Sequence, residues 1–406
     1  MNRYDLIVVG AGGAGMMASI VASRRGKKVL LLEKLPKLGS KLKATGGGKC
    51  NITNTLSIDE FIDAFGRGGK FMLNALREFD NKALIEFLDS IGVKTHSLDG
   101  FRVFPATHNS ATILDALISE VNRLNINVLT NCEVKDLIVN ENKIYGVRCK
   151  DREFYSDNVA LSTGGLGYPM LGTTGDGFEM ANRVGHKIVK PYPAMLPLKT
   201  KETWVKDCTA DTIAKVTIKI DLPKYKKLKA IGDLIFTKKG IRGPVVLDFA
   251  REITPLLDKY KEVPILVNLT KGLNEDAILK HIKKYPNLSI LDIINKLLPK
   301  SVANALCTQL NIDKNSLYKN IAGFKREKLL KTLSWTPLTI VGHDGFKMAM
   351  ITRGGVSLKE INPNSMMSKK IDGLYFCGEV VDIDGPCGGY NLQWAFSSGN
   401  LVGNSI

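Results

Sequence analysis

The chain has 406 residues, of which 44% are hydrophobic, so it can build more than one folded core and is not a disordered polypeptide. The formal net charge of +17 fits either general solubility or a basic face for an anionic partner. The seven cysteines contain no C-x-x-C pair and the five histidines show no H-x-x-x-H spacing. We therefore expect a cytoplasmic protein without a disulfide framework or a metal site.

The first predicted elements form a nucleotide-binding unit. In order they are a buried strand, a glycine-rich turn, a helix and a second strand: residues 4–9, 10–15, 16–25 and 28–32. Gly10, Gly12 and Gly15 fit the G-x-G-x-x-G pattern, which allows a tight turn and a close approach to a pyrophosphate at a helix N-terminus. Glu33 ends the second strand, where an acid receives a ribose hydroxyl. The complete series predicts a dinucleotide site.

A second glycine-rich stretch follows at residues 41–54, and clustered glycines usually answer a need for positive φ or for close ligand approach. Helical spacing over 71–90 and after Ser110 leads into strand-like segments at 134–139 and 143–149. A further predicted strand, 157–161, runs into Thr163-Gly164-Gly165. This order is typical of FAD-binding oxidoreductases of the glutathione-reductase type.

The middle of the chain reads as an insert between two halves of one nucleotide-binding domain. Residues 1–190 and 335–406 are predicted to form the discontinuous FAD-binding domain, and 191–334 the insert. Within the insert, 191–272 is β-rich and 273–334 reads as short amphipathic helices rich in Leu, Ile and Lys. The fold class is therefore α/β, with a Rossmann-like FAD-binding domain.

The C-terminal segment carries a strand that runs into Gly378 and Glu379, followed by an acidic, glycine-rich turn and a helix over 394–402. In flavoproteins of this build the Gly-acid pair lies beside the ribityl chain. The N-terminus of the last helix faces the flavin, where its positive end favours negative charge.

These motifs together resemble the BaiN-like and aminoacetone-oxidase-like family of NAD(P)/FAD-dependent oxidoreductases, over nearly the whole chain. Further matching motifs are 175–177, 240–244, 352–356 and 378–393. The resemblance implies an inserted β-barrel-like domain that carries a small helical subdomain. Cys387 departs from the family's usual Thr, Arg242 from its Ser, and Ser40 and Lys49 from its Arg, which leaves the substrate open.

The resemblance also implies which residues hold FAD. The predicted cofactor-binding set is Gly10, Gly12, Gly13, Ala14, Gly15, Glu33, Lys34, Lys41, Thr45, Gly46, Gly47, Gly48, Cys50, Asn51, Val134, Thr163, Gly164, Gly378, Glu379, Asp384, Gly389, Tyr390, Asn391 and Leu392. Catalytic residues stay open, with Cys50, Tyr390 and Arg353 as candidates. Cys50 is either a redox partner of the flavin or a small buried side chain, and Tyr390 either stacks near the ring or packs.

The expected function is hydride transfer between flavin N5 and a small or medium organic substrate, by amine oxidation or by reduction of a C=C bond. No second G-x-G-x-x-G follows a strand, so we expect no dedicated NAD(P)-binding domain. NAD(P)H is therefore a candidate electron donor that would bind only transiently at the flavin. We expect a small-molecule substrate and neither a membrane nor a nucleic-acid partner. Two alternatives remain: a flavin-dependent RNA-modifying protein, which the charge suggests, and a non-catalytic flavin-binding redox sensor.

Overall fold

A computed structural model describes residues 3–406, apart from the side chain of Arg67. Residues 1 and 2, which belong to the predicted segment 1–190 of the FAD-binding domain, lie outside the described residues. The chain forms two compact units, one made of the segments up to Tyr192 and from Met350 onward, the other of Pro193–Ala349. In residues 3–406 no helix combines the length and the apolar character that crossing a membrane requires.

The strands, in chain order, are β1 Arg3–Tyr4, β2 Leu6–Val9, β3 Val29–Leu32, β4 Thr53–Asn54, β5 Thr95–His96, β6 Arg102–Pro105, β7 Asn127–Leu129, β8 Val134–Asn140, β9 Lys143–Cys149, β10 Glu153–Ser156, β11 Val159–Leu161, β12 Ile188–Ala194, β13 Leu198–Thr200, β14 Thr212–Ile220, β15 Lys229–Thr237, β16 Gly240–Arg242, β17 Val263–Asn268, β18 Thr336–His343, β19 Ile351–Val356 and β20 Leu374–Phe376.

The α-helices are α1 Gly13–Arg24, α2 Ser40–Ala44, α3 Ile58–Asp63, α4 Leu73–Glu78, α5 Asn81–Ser90, α6 Ser110–Arg123, α7 Asp176–Arg183, α8 Pro244–Tyr260, α9 Glu275–Lys283, α10 Ile290–Ile294, α11 Lys300–Gln309, α12 Gly323–Ser334 and α13 Tyr390–Ser405.

A five-stranded parallel sheet in the order β20-β11-β2-β3-β7 forms the centre of the first unit. Every residue of β2, β3, β11 and β20 is buried, as expected for parallel strands covered on both faces. Smaller sheets accompany it in the orders β1-β10-β9-β8, β4-β6-β5 and β12-β19. The predicted Rossmann-like FAD-binding fold is confirmed.

The first and last helices of the chain pack against each other at glycines. A Cβ atom on Gly399 of α13 would lie 2.3 Å from the Ala14 carbonyl oxygen of α1. One on Gly403 would lie 2.7 Å from the Val21 side chain. Only glycine permits so close an approach, which brings the two ends of the chain together.

The second unit is a closed barrel with strand order β13-β16-β15-β14-β17-β18. Helices α9 to α12 lie in the sequence between β17 and β18 and share the hydrophobic core of the barrel. The predicted inserted barrel with a helical subdomain is confirmed. The two units divide at 192/193 and 349/350, whereas the predicted second boundary lies at 334/335. The observed boundary comes later in the chain because β18 belongs to the barrel, where it pairs with β13 and β17.

Candidate FAD-binding site

The parallel sheet brings most of the predicted cofactor residues to one edge. Gly10 follows β2, Glu33 follows β3, Thr163 follows β11 and Gly378 follows β20. Because these strands are parallel, all four lie at carboxyl ends, where open α/β sheets bind ligands. A Cβ on Gly10 would lie 2.7 Å from the Ser162 carbonyl oxygen, so the glycine-rich turn lies directly beside the end of β11.

The glycine-rich turn has the geometry of a pyrophosphate site. Helix α1 begins at Gly13, and its N-cap Gly12 makes no side-chain capping hydrogen bond. A Cβ on Gly12 would meet no described atom within 4 Å, so its backbone faces open space. A Cβ on Gly15 would lie 2.0 Å from the Gly10 carbonyl oxygen, so the helix packs directly against the turn and leaves no room for a side chain there. The first turn of α1, which includes Ala14, therefore offers N–H groups and a positive dipole end to an anion.

Glu33 lies against the same turn. Its Oε2 accepts a hydrogen bond from the Ala11 N–H at 2.9 Å, and its Oε1 accepts one from the Leu35 N–H at 2.9 Å. Each carboxylate oxygen keeps a second lone pair for a ribose hydroxyl. The neighbouring Lys34 Nζ lies 2.5 Å from Asp176 Oδ2 and also contacts Thr174, so its charge is already paired within the protein.

Val134 reaches this edge through the segment before β8. The Cys132 N–H donates to the Glu33 carbonyl oxygen at 2.9 Å, and the Glu33 N–H donates to the Leu129 carbonyl oxygen at 2.9 Å. These bonds hold the segment from β7 to β8 beside Glu33. The adenosine end of the predicted site is thus assembled from residues that lie far apart in the sequence.

Lys41 and Glu379 join the second glycine-rich stretch to the C-terminal segment. The Lys41 Nζ lies 2.6 Å from Glu379 Oε2, and the Thr352 N–H donates to Glu379 Oε1 at 2.8 Å. The Thr352 Oγ1 accepts from the Leu166 N–H at 2.8 Å. Sequence reasoning missed Thr352, although it begins the flagged motif at 352–356. A Cβ on Gly165 would lie 2.4 Å from its hydroxyl, so the segment after Thr163 and Gly164 belongs to the same assembly.

The stretch from Thr45 to Asn51 folds tightly. Over Thr45–Gly48 it makes tight turns rather than a regular helix, because Gly46 and Gly47 are left-handed, with φ values of 62° and 65°. The Asn51 amide donates to the carbonyl oxygens of Thr53 at 2.9 Å and Val103 at 3.0 Å and so holds this loop in place, while its contact with the cofactor stays a prediction.

Cys50 follows these turns with a φ of 59° and is fully buried. Burial raises the pKa of its thiol to about 12, which keeps the sulfur protonated at neutral pH. A protonated thiol is a poor nucleophile, so the burial of Cys50 fits the packing alternative, which stays a prediction.

The C-terminal turn is fixed from several sides. The Asn391 amide accepts from the Gly385 N–H at 2.8 Å and donates to the Gly385 carbonyl oxygen at 2.9 Å. The buried Asn54, which sequence reasoning did not assign to the site, donates to the Gly388 carbonyl oxygen at 2.9 Å. Gly389 is the N-cap of α13 and makes no side-chain capping bond, so this helix also presents its positive end, with Leu392 in its first turn.

Tyr390 packs in an aromatic cluster. Its ring centroid lies 4.9 Å from that of Phe61, 5.8 Å from that of Phe65 and 6.4 Å from that of Phe101. The residue is 7% exposed. The ring therefore packs among aromatic side chains, and its contact with the flavin stays a prediction.

Arg353 lies near the Asp382 carboxylate, which in turn lies near Asp384. Burial raises the pKa of Asp382, and the neighbouring charge of Asp384 raises it further, while Arg353 opposes both effects. Arg353 is half-buried in β19, and Asp384 is buried after β20. Arg353 thus places a cation beside the acidic turn, and its role toward a ligand stays a prediction.

A helix N-terminus, an open position beside Gly12 and the Glu33 carboxylate lie at one sheet edge, as expected for a dinucleotide site. Fold and site therefore define an FAD-binding Rossmann flavoprotein oxidoreductase. The chain belongs to the family described as HI0933-like protein Rossmann domain, whose model matches residues 4–405. The family resemblance inferred from the motifs is confirmed.

The similarity to two relatives extends over nearly the full length of both chains. The chain is 31% identical over 415 residues to a 3-dehydro-bile acid delta(4,6)-reductase of Clostridium scindens, covering 100% of this chain and 99% of that protein. It is 28% identical over 412 residues to a ribosomal RNA dihydrouridine synthase of Haemophilus influenzae, again covering 100% and 99%. A 3-ketosteroid-delta4-(5alpha)-dehydrogenase structure from Rhodococcus jostii RHA1 shares the fold, with TM-score 0.54, 14% identity and coverage of 99% and 96%.

Proposed function

We propose that the protein is an FAD-dependent reductase of a carbon–carbon double bond conjugated to a carbonyl group. The observation that carries this is the chemistry named for two full-length relatives. A 3-dehydro delta(4,6) steroid acid and the uracil ring both contain such a bond. Reduced FAD would supply a hydride from N5 and a proton would complete the addition, while NADH or NADPH would restore the electrons. Neither relative's name supports the amine-oxidation alternative.

We assign the residues of the site the roles that their motifs imply and their positions support. Gly10 to Gly15 would hold the pyrophosphate, and Glu33 with Val134 would contact the adenosine half. Lys41, Glu379 and the turn before α13 would shape the flavin half. Lys34 would act through its ion pair with Asp176 rather than as a direct ribose ligand, since that pair already engages its charge.

Arg353 is the proposed contact for the substrate carbonyl or for the negative charge of the reduced cofactor. It lies close enough to Asp382 to influence that carboxyl's pKa, which ties it to the acidic turn after β20. A fixed cation near developing negative charge lowers a reaction barrier most where water is excluded.

A second candidate shares this chemistry and differs in substrate: reduction of uracil within RNA. The net charge of +17 favours it, because a polyanion is attracted to a basic surface. A relative named for that reaction covers the whole chain. The two candidates predict different substrates for the same reduced protein.

The test uses anaerobic protein with bound FAD, reduced by NADPH or NADH. The reduced protein is then mixed separately with a Δ4-3-ketosteroid and a uridine-containing RNA, while aminoacetone is mixed with the oxidised protein in air. Return of the oxidised flavin spectrum, together with a product two hydrogens heavier, supports reduction of that substrate. Oxidation of aminoacetone with rapid peroxide formation in air, and no reaction with either alkene, would contradict the proposal.

A further inference from the structure

A pocket of about 400 Å³ opens on the barrel of the second unit and has no role in the site described above. It is lined by residues of β14, β15 and β17 and of the segments flanking the helical subdomain. Three of these residues are lysines: Lys219, Lys226 and Lys229. We call it the lysine pocket. Its volume is in the range that takes one nucleotide-sized ligand.

We propose that the lysine pocket binds the phosphodiester backbone of an RNA substrate. This inference rests on the second candidate function, reduction of uracil within RNA. Lysine ammonium groups bind phosphates as compact point charges, and contacts to phosphate set most of the affinity of a protein for a nucleic acid.

Among the described residues, the lysine pocket contains no acidic lining residue that would balance its positive charge. Lys219 and Lys229 are direct partners in the β14–β15 register, which places two like charges opposite each other across neighbouring strands. Such a pair destabilises a sheet unless an anion lies between the charges. None of the described lining residues is acidic, and the ion pairs found among the described residues do not include Lys219, Lys226 or Lys229.

The pocket also offers surface for a nucleobase. Ile231, which lies across from Thr217 in the register, is 67% exposed, unusual for an isoleucine in a barrel strand. The Lys219 Nζ lies 3.8 Å from the centre of the Trp335 ring, which holds this cation in place by a cation–π contact. A positioned cation beside an exposed apolar side chain suits a ligand that alternates phosphates and bases.

The experiment measures binding of a fluorescent single-stranded uridine-rich RNA to the FAD-loaded protein at several salt concentrations. The double variant Lys226→Ser/Lys229→Ser is compared with Lys283→Ser/Lys284→Ser, which removes the same charge from an exposed part of α9 and its C-cap. The pocket variant is expected to bind at least tenfold more weakly. Its slope of log affinity against log salt should fall by about 0.7 for each lost phosphate contact. The control variant should stay near wild type.

Ile231→Ser adds an independent measurement, since it leaves the charge unchanged and is expected to weaken RNA binding without altering the salt slope. Equal losses in the two lysine variants, or none in the pocket variant, would overturn the proposal. So would competition by NADP+ that depends on Lys226 and Lys229 while RNA binding does not. Steroid reduction by reduced wild-type protein that binds no RNA would overturn this inference and leave the proposed reductase function intact.

Discussion

The Lys41 ammonium lies 2.6 Å from the Glu379 carboxylate, although the two residues are 338 positions apart in the sequence. Their side chains are 23% and 21% exposed, so water screens the pair only in part. The same carboxylate accepts the Thr352 N–H. One half-buried ion pair therefore holds together three segments that build the flavin half of the proposed site.

The first prediction concerns this ion pair. We expect Lys41→Met and Glu379→Gln each to lower the free energy of unfolding of the apoprotein. The double variant should lose less than the sum, with a coupling of about 1 kcal/mol. The amide oxygen introduced by Glu379→Gln would still accept the Thr352 N–H, so the cycle isolates the charge pair. Urea unfolding of the four proteins measures it, and strictly additive losses would show that the contact contributes nothing.

The second prediction separates two glycines of the pyrophosphate turn. Gly12 has negative φ and open space at its Cβ position, so Gly12→Ala should leave the melting temperature of the apoprotein nearly unchanged while weakening FAD binding. In Gly15→Ala the added methyl would meet the Gly10 carbonyl at 2.0 Å, and we expect a loss of several kcal/mol of stability. Thermal melts without FAD and FAD titrations with each variant measure the two effects. Equal FAD affinity in Gly12→Ala and wild type would refute the pyrophosphate assignment.

The sequence was sufficient to predict the edge of the parallel sheet where β2, β3, β11 and β20 end, because buried strands appear as apolar runs and the turns after them as glycine motifs. It was sufficient to predict a domain built from two segments because motifs of one nucleotide-binding fold occur near both ends of the chain. It could not assign Thr352 to the site, since the partners of Thr352 lie at Leu166 and Glu379. It also gave no sign that Cys132 and Cys149 lie with sulfurs 3.2 Å apart, because that contact depends on the β8–β9 register.

The third prediction tests the protonation of Cys50. A pKa of about 12 leaves roughly one thiolate in ten thousand at pH 8, so iodoacetamide should modify Cys50 extremely slowly. Cys387, which is partly exposed, should react first. Cys50→Ser should keep the rate of flavin reduction by NADPH within about threefold, as expected for a packing residue. Peptide mapping by mass spectrometry follows the labelling. Rapid modification of Cys50, or loss of reduction in the serine variant, would restore it as a redox candidate.

The last prediction concerns His186, which is buried in the first unit. Its Nε2 lies 2.9 Å from Ser368 Oγ, and its Nδ1 lies 3.3 Å from Glu360 Oε2 without the alignment of a hydrogen bond. Burial lowers the pKa of this imidazole, Glu360 opposes the shift, and the Lys370 charge adds to it. In the unfolded chain the pKa returns to the ordinary value near 6.5, so between the two values the unfolded state binds more protons.

The contribution of His186 to stability is therefore complete above pH 6.5 and is lost as the pH falls toward the lowered folded pKa. One titrating group sets an upper limit of about 1.4 kcal/mol per pH unit on the slope within that window. His186→Gln removes the titrating group and keeps a polar partner for Ser368, so its unfolding free energy should vary less between about pH 7 and pH 5. Urea unfolding at half-unit pH steps measures both proteins. A wild-type curve no steeper than that of the glutamine variant would mean that His186 accepts its proton without penalty in the folded protein.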